Sequence, residues 1–334
     1  MTDSMRAVPN STSAARPRGA GMLRRVLVAV DGSPTADAAL LQALELQRGF
    51  GSDLILCTVV DKDSAIAAAS AADGAFLGFD AVLAHYNEAA SALLSQAALR
   101  ASATGARVTT TLLEGRPANT IAEYAAECGV DAIVLGTRGK RGFERMFLGS
   151  TAEGVLRLTS VPTFVVHVPH ETSVGDAAPP PARTLARILV ALDDSDSSDA
   201  AVAFACDLAA TAGSTLVFAH AVDGGDLFAR AESFGYNPAP LFVEMRASAA
   251  ELLAARAQAA KARGLAVETL VVEGGAAEAI VDAAAVHDAD LIVVGTHGRR
   301  GLQRLVMGSV AEHIVRRSAV PVAVLRGVPV PATI

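Results

Sequence analysis

Residues 131–166 read DAIVLGTRGKRGFERMFLGSTAEGVLRLTSVPTFVV, and residues 290–325 read DLIVVGTHGRRGLQRLVMGSVAEHIVRRSAVPVAVL. Aligned at a shift of 159, 17 of the 36 positions are identical. That exceeds what a shared preference for Ala and Val produces, so the chain carries one unit twice. Each copy runs in the same order: an apolar run rich in Ile and Val, a glycine-rich stretch with Arg or Lys, Gly-Ser, a helical pattern, then Val-Pro and a closing apolar run. The order reads as strand, loop, helix, strand.

The repeat continues outward from these stretches. The same shift matches Leu93-Leu94 with Leu252-Leu253, Gly105 with Gly264, and Glu114-Gly115 with Glu273-Gly274. Further upstream, VLVAVD at 26–31 matches ILVALD at 188–193 at a shift of 162. The first copy therefore has the longer insert after its second strand. Its pattern predicts strands over 25–30, 53–60, 107–113, 131–135 and 161–166, with helices over 35–50, 81–103, from Pro117 to about 128, and from Gly149. Strands alternating with helices this long imply parallel pairing, because parallel neighbours need crossover connections. The expected division is a tail over 1–22, a first domain over 23–168, a Pro-rich linker over 169–186, a second domain over 187–326 and a tail over 327–334.

Of the 334 residues, 51% are hydrophobic, 19% charged and 4% aromatic, with no Trp. Both halves can bury a core, built from Ala, Val, Leu and Ile, which suits helices on a Val-rich parallel sheet. A formal charge of −7 argues against nucleic acid or anionic membrane as a partner. No apolar run reaches the ~18 residues of a membrane-spanning helix. The first 22 residues are polar and Pro-punctuated, unlike a secretory signal. Cys57, Cys128 and Cys206 are widely spaced and odd in number, as buried free thiols in a reducing cytoplasm would be.

In open α/β sheets ligands lie beyond the carboxyl ends of the strands, where strand order switches. The first strand runs out in Asp31-Gly32-Ser33 and Asp193-Asp194-Ser195, the fourth in Gly136, Arg138, Gly139 and in Gly295, His297, Gly298. Gly149-Ser150 and Gly308-Ser309 then precede a helix. Glycines let backbone amides approach an anion, and a helix N-terminus favours phosphate. Arg138, Lys140 and Arg141 add positive charge in one copy, Arg299 and Arg300 in the other. The result outlines a phosphate cradle of neither common kind. A P-loop needs Ser or Thr where Arg141 follows Lys140, and a dinucleotide fingerprint needs GxGxxG after the first strand.

The pattern G-x2-G-x9-G-[ST], after a fourth strand and paired with the V-D-G-S first turn, resembles the universal stress protein family. The resemblance covers nearly all of 24–326 apart from the linker. It implies two tandem open five-stranded parallel sheets with helices on both faces, a Rossmann-like fold akin to the adenine-nucleotide alpha hydrolases. The family includes ATP binders and members that have lost the loop. In the binders the glycine loop holds phosphates, the first-strand Asp lies beside the nucleoside, and backbone after the second strand meets adenine. Carried over, this implies Asp31, Val59, Gly136, Arg138, Gly139, Gly149, Ser150 and Thr151 in the first copy. In the second it implies Asp193, Ala221, Gly295, Gly298, Gly308, Ser309 and Val310. The implied cofactor is ATP, AMP or ADP, with Mg2+ as an optional companion. The implied role is a cytoplasmic, nucleotide-responsive stress or regulatory protein with a protein partner still to be named. The resemblance also implies an intramolecular pseudo-dimer through 161–166 and 320–325, with further homodimerisation open.

Plainer readings stand beside these. The glycine loops have an alternative reading as turns without a ligand, Asp31 and Asp193 as turn or capping carboxylates, and Ser150 and Ser309 as helix caps. Asp194 either tightens its turn or repels a phosphate. The seven histidines show no metal-ligand spacing, and no nucleophile–base pair stands out, so neither a metal site nor a catalytic residue is assigned. Two alternatives remain: a slow ATPase or phosphoryl-transfer enzyme, and a nucleotide-free interaction module. The inserts at 65–80 and 227–241 read as packing on the body, covering a pocket or docking a partner.

Overall fold

The computed structural model describes residues 22–63, 79–137, 148–168, 185–225, 237–296 and 307–326. The expected tails apart from Met22, most of the linker, most of both inserts and the middle of each glycine loop, with Arg138, Gly139, His297 and Gly298, lie outside them.

The first copy forms β1 (Arg25–Ala29), α1 (Pro34–Phe50), β2 (Asp53–Val60), α2 (Phe79–Ser102), β3 (Val108–Glu114), α3 (Pro117–Cys128), β4 (Ala132–Gly136), α4 (Ser150–Leu158) and β5 (Thr163–Val166). The second forms β6 (Arg187–Ala191), α5 (Asp196–Ala212), β7 (Thr215–Val222), α6 (Ala239–Ala262), β8 (Val267–Glu273), α7 (Ala276–Val286), β9 (Leu291–Gly295), α8 (Ser309–Arg317) and β10 (Val322–Leu325). Local chemistry sets the ends. Ser33 caps α1 by accepting from the Ala36 amide, Pro34 occupies its first turn, and Gly51 at φ 67° closes it. Ser195 and Gly213 do the same for α5.

The ten strands form one sheet in the order β3-β2-β1-β4-β5-β10-β9-β6-β7-β8. Every pairing is parallel except β5 with β10, which run antiparallel with Phe164 opposite Ala323. The two expected five-stranded sheets are thus continuous. Each half uses its edge strand to satisfy backbone groups of the other, which removes two exposed edges. Phe164 also meets Phe204 of α5 at 6.1 Å between ring centroids. Arg326 Nη1 donates to the Arg157 carbonyl at 3.1 Å across the same seam.

Side chains alternate between two cores, because successive strand residues point to opposite faces. Val26, Val28, Leu54, Leu56 and Phe164 pack under α1, α2, α5 and α6. Leu27, Cys57, Ile133, Leu135 and Val165 pack under α3, α4, α7 and α8. Among the described residues no helix is long and apolar enough to cross a membrane.

The cysteines are unpaired: Cys57 and Cys206 are buried and Cys128 is half-buried. Burial pushes the Cys57 thiol up to about 12 and raises that of Cys206 as well. In native protein at neutral pH, a thiol-reactive reagent should therefore modify Cys128 alone, and all three in denaturant. Rapid native labelling of Cys57 would contradict this. The same burial makes stability fall as pH climbs above the ordinary thiol range, since only the unfolded chain then releases that proton.

Candidate functional site

The strand register assembles the site. Val28 pairs with Val134 and Ala29 with Cys57, so Asp31, just past the end of β1, leaves the sheet at the same carboxyl edge as Thr137 and Val59. In the second half Val190 pairs with Val293 and Ala191 with Ala219, which aligns Asp193 with Thr296 and Ala221. Strand order reverses between β1 and β4, and between β6 and β9, so each row lies at a switch point. Alternation turns these side chains toward the face that α3 and α4, or α7 and α8, cover.

The first turns are built by their own side chains. Gly32 takes φ 75°, and Asp31 Oδ1 accepts the Ser33 amide at 2.9 Å. Asp193 Oδ1 accepts both the Ser195 amide at 3.2 Å and the Ser195 hydroxyl at 2.5 Å. Both aspartates are turn carboxylates, as the plainer reading had it, and still sit at the switch point. Asp194 lies 3.7 Å from Arg256 Nη2, which also bonds Asp199 at 2.9 Å. Arg256 thus offsets the charge that Asp194 adds to the second site.

A third position holds each first strand. The Thr58 hydroxyl donates to the Val30 carbonyl at 2.7 Å, and at the matching place His220 Nδ1 donates to the Leu192 carbonyl at 2.8 Å. The His220 ring is therefore an Nδ1–H tautomer engaged in structure.

Gly136 and Gly295 have a packing reason. A Cβ on Gly136 would lie 2.6–2.7 Å from Thr35, including its backbone carbon, and one on Gly295 2.5–2.7 Å from Ser197. The first turns of α1 and α5 rest directly on the ends of β4 and β9.

Beyond them, the Gly149 amide donates to the Thr137 carbonyl at 2.7 Å, and Gly308 to Thr296 at 2.6 Å. These bonds close the stem of each glycine loop and aim the following helix at the strand ends. Gly149 and Gly308 are the N-cap residues, with no side-chain cap, and α4 and α8 begin at Ser150 and Ser309. Neither serine caps its helix. Ser150, Ser309 and Val310 are exposed and Thr151 is half-buried, so among the described residues two uncapped helix N-termini open at the carboxyl edge of the sheet. Backbone amides and hydroxyls at a positive helix end suit an anionic oxygen group. Among the described residues no group of three or more metal-ligating side chains is present.

The universal stress protein family model matches residues 22–167 and 184–326, which are the two repeats. The chain belongs to the universal stress protein family. It is 31% identical over 215 residues to a family member of Mycobacterium tuberculosis, spanning 64% of this chain and 68% of that protein. A family member of Methanocaldococcus jannaschii is 31% identical over 151 residues, 45% of this chain and 86% of its own length. The crystal structure of a universal stress protein from Archaeoglobus fulgidus superposes with a TM-score of 0.64 at 21% identity, covering 92% of this chain and 99% of that one. The likeness extends over both repeats and concerns the fold.

Two features of the site escaped the sequence reading. Thr137 and Thr296, which belong to no motif position with a recognised role, are both buried just after β4 and β9. The Arg256 tie to Asp194 joins residues 62 positions apart and leaves no local signal.

Proposed function

We propose that this universal stress protein binds adenine nucleotides, ATP foremost, at both strand-end sites and acts as a nucleotide-responsive regulator in the cytoplasm. The observation that carries the reading is the uncapped N-terminus of α4, opening at the switch point beside Asp31 and repeated at α8 beside Asp193. In this reading the amides and hydroxyls of Ser150 and Thr151, with Gly149, receive phosphate oxygens. Ser309 and Gly308, with the Val310 amide, do so in the second site. Asp31 and Asp193 hold the nucleoside against Val59 and Ala221, and Gly139, Gly298 and Arg138 complete the loop. Gly136 and Gly295 act by bringing α1 and α5 close. When bound, the nucleotide supplies charge that orders the loop and changes the surface a protein partner reads. Any Mg2+ would be held mainly by phosphate and water.

Ser150→Asp tests the first site without disturbing the fold. A carboxylate at the first turn is favourable for the helix by about 0.3–1 kcal/mol, yet repels phosphate. The expected result is unchanged or slightly raised thermal stability with affinity at one site reduced about tenfold or more, read by calorimetric titration with ATP. Wild-type affinity at both sites in this variant would remove α4 from the binding surface.

A further inference from the structure

The seam between the two halves is built from unlike residues at matched positions. Phe164 of β5 and Ala323 of β10 lie opposite each other, are both fully buried, and occupy the same place in the repeat at its shift of 159. Phe204 of α5 packs on Phe164, with ring centroids 6.1 Å apart and planes inclined at 56°. The counterpart of Phe204 in α1, at the shift of 162, is Gln42. Gln42 is only 2% exposed, and among the described residues its Nε2 has no hydrogen-bond partner.

The first helix of each half, α1 or α5, packs on the last strand of its own half, and the two helices touch each other. The Phe204–Phe164 contact crosses from one half to the other, and the pseudo-twofold carries it onto the line from Gln42 to Ala323. One side of the axis thus holds two rings, the other a methyl group and an amide. A symmetric pair of identical units requires a surface complementary to itself. Neither half offers one. Two first halves would set Phe164 against Phe164 and bury two Gln42 amides, which overpacks the axis and adds an unpaired polar group. Two second halves would set Ala323 against Ala323 and leave a void beside each Phe204.

We infer that this seam is a pairing surface selective for an unlike half. A first half, presenting Phe164 and Gln42, takes a partner with a small residue opposite the ring and an aromatic one on the facing helix. Specificity arises from rejection of the like pair as much as from the fit of the unlike one. The partner is the second half of the same chain, or that of another copy in an exchange of halves. A second copy does not add to the first by like-with-like pairing at β5 or β10, so any symmetric dimer uses a different surface. The Gln42 amide belongs to the same selection. An apolar residue there would suit either pairing, whereas a buried amide costs stability once in the native seam and twice in a pair of first halves.

The test uses the full-length chain and thermal melting, because single substitutions recreate the axis of each like pair inside one molecule. Ala323→Phe sets ring against ring, and Phe164→Ala sets methyl against methyl. Each should lower the first melting midpoint by about 5 °C or more. Phe164→Ala combined with Ala323→Phe keeps one ring at the axis but gives it Gln42 in place of Phe204, and should melt above either single variant. Adding Gln42→Phe and Phe204→Gln completes the exchange of the four residues between halves. That fourfold variant should return to within about 3 °C of wild type. A wild-type midpoint for Ala323→Phe overturns the inference, since ring against ring is then tolerated. So does a fourfold variant that melts no higher than the single ones or does not fold, since the four residues would then answer to their own surroundings and not to each other.

Discussion

Phe164→Ala is expected to cost about 3–5 kcal/mol and to split one unfolding transition into two. Phe164 is fully buried, lies opposite Ala323 in the β5–β10 ladder, and packs on Phe204 of α5. Residues 164 and 323 are also the same position of the repeat, since 323 − 164 = 159. The antiparallel register pairs 163 with 324 and 165 with 322, so the pseudo-twofold axis passes between Phe164 and Ala323. In a symmetric dimer of identical units that position would face itself. Here duplication has allowed a large residue on one side and a small one on the other, and the phenylalanine fills the space the alanine leaves. Removing the ring leaves a cavity at the one seam where the two halves share a ladder. Urea unfolding followed by circular dichroism should show the halves melting separately in the variant. A single transition within about 1 kcal/mol of wild type would mean that the seam contributes little to the fold.

The second large effect is expected at Gly136→Val. The added Cβ would stand within 2.7 Å of the Thr35 backbone, where no flexible side chain can give way. The first turn of α1 must then move off β4, at a cost of about 3 kcal/mol, the upper part of the usual range for overpacking. The shift also takes Asp31 and Ser33 out of line with Thr137, so nucleotide affinity at the first site should fall together with stability. Gly49 provides the control. It lies within α1, a Cβ there meets nothing within 4 Å, and its φ is ordinary. Gly49→Ala should stabilise by about 0.5–1 kcal/mol. Denaturant midpoints for the two variants that move by similar amounts in the same direction would contradict the packing argument.

These two residues also show what was legible in the amino-acid sequence. The repeat, the alternation of elements and the strand ends at Gly136 and Gly295 follow from periodicity and punctuation, which are local. Pro117 opening α3 and the Gly-Ser pairs ahead of α4 and α8 were equally plain. Boundaries moved by one or two residues where local patterning ends and pairing decides. β5 begins at Thr163, after Pro162, which has no amide to donate and offers its carbonyl to Ile133. The function of particular residues was less legible. A glycine that lets a helix touch a strand and one that lets an amide touch a phosphate look alike in sequence, and the close approach of Thr35 to Gly136 is seen only in the structure. Ser150 and Ser309 carry the signature of helix caps, yet the preceding glycines take that place. Thr137 gave no signal, because threonine at a strand end is ordinary until its side chain is found buried.

The most direct test of the account is calorimetric titration of nucleotide-stripped wild-type chain with ATP, repeated with AMP and at raised salt. The predicted result is saturable binding of two equivalents per chain, or of one if only the first-half site is filled. It should be weakened by Ser150→Asp, and weakened further when Ser309→Asp is added. No heat and no shift in melting temperature up to millimolar ATP would contradict the account, and would leave the two uncapped helix ends as features of the fold alone.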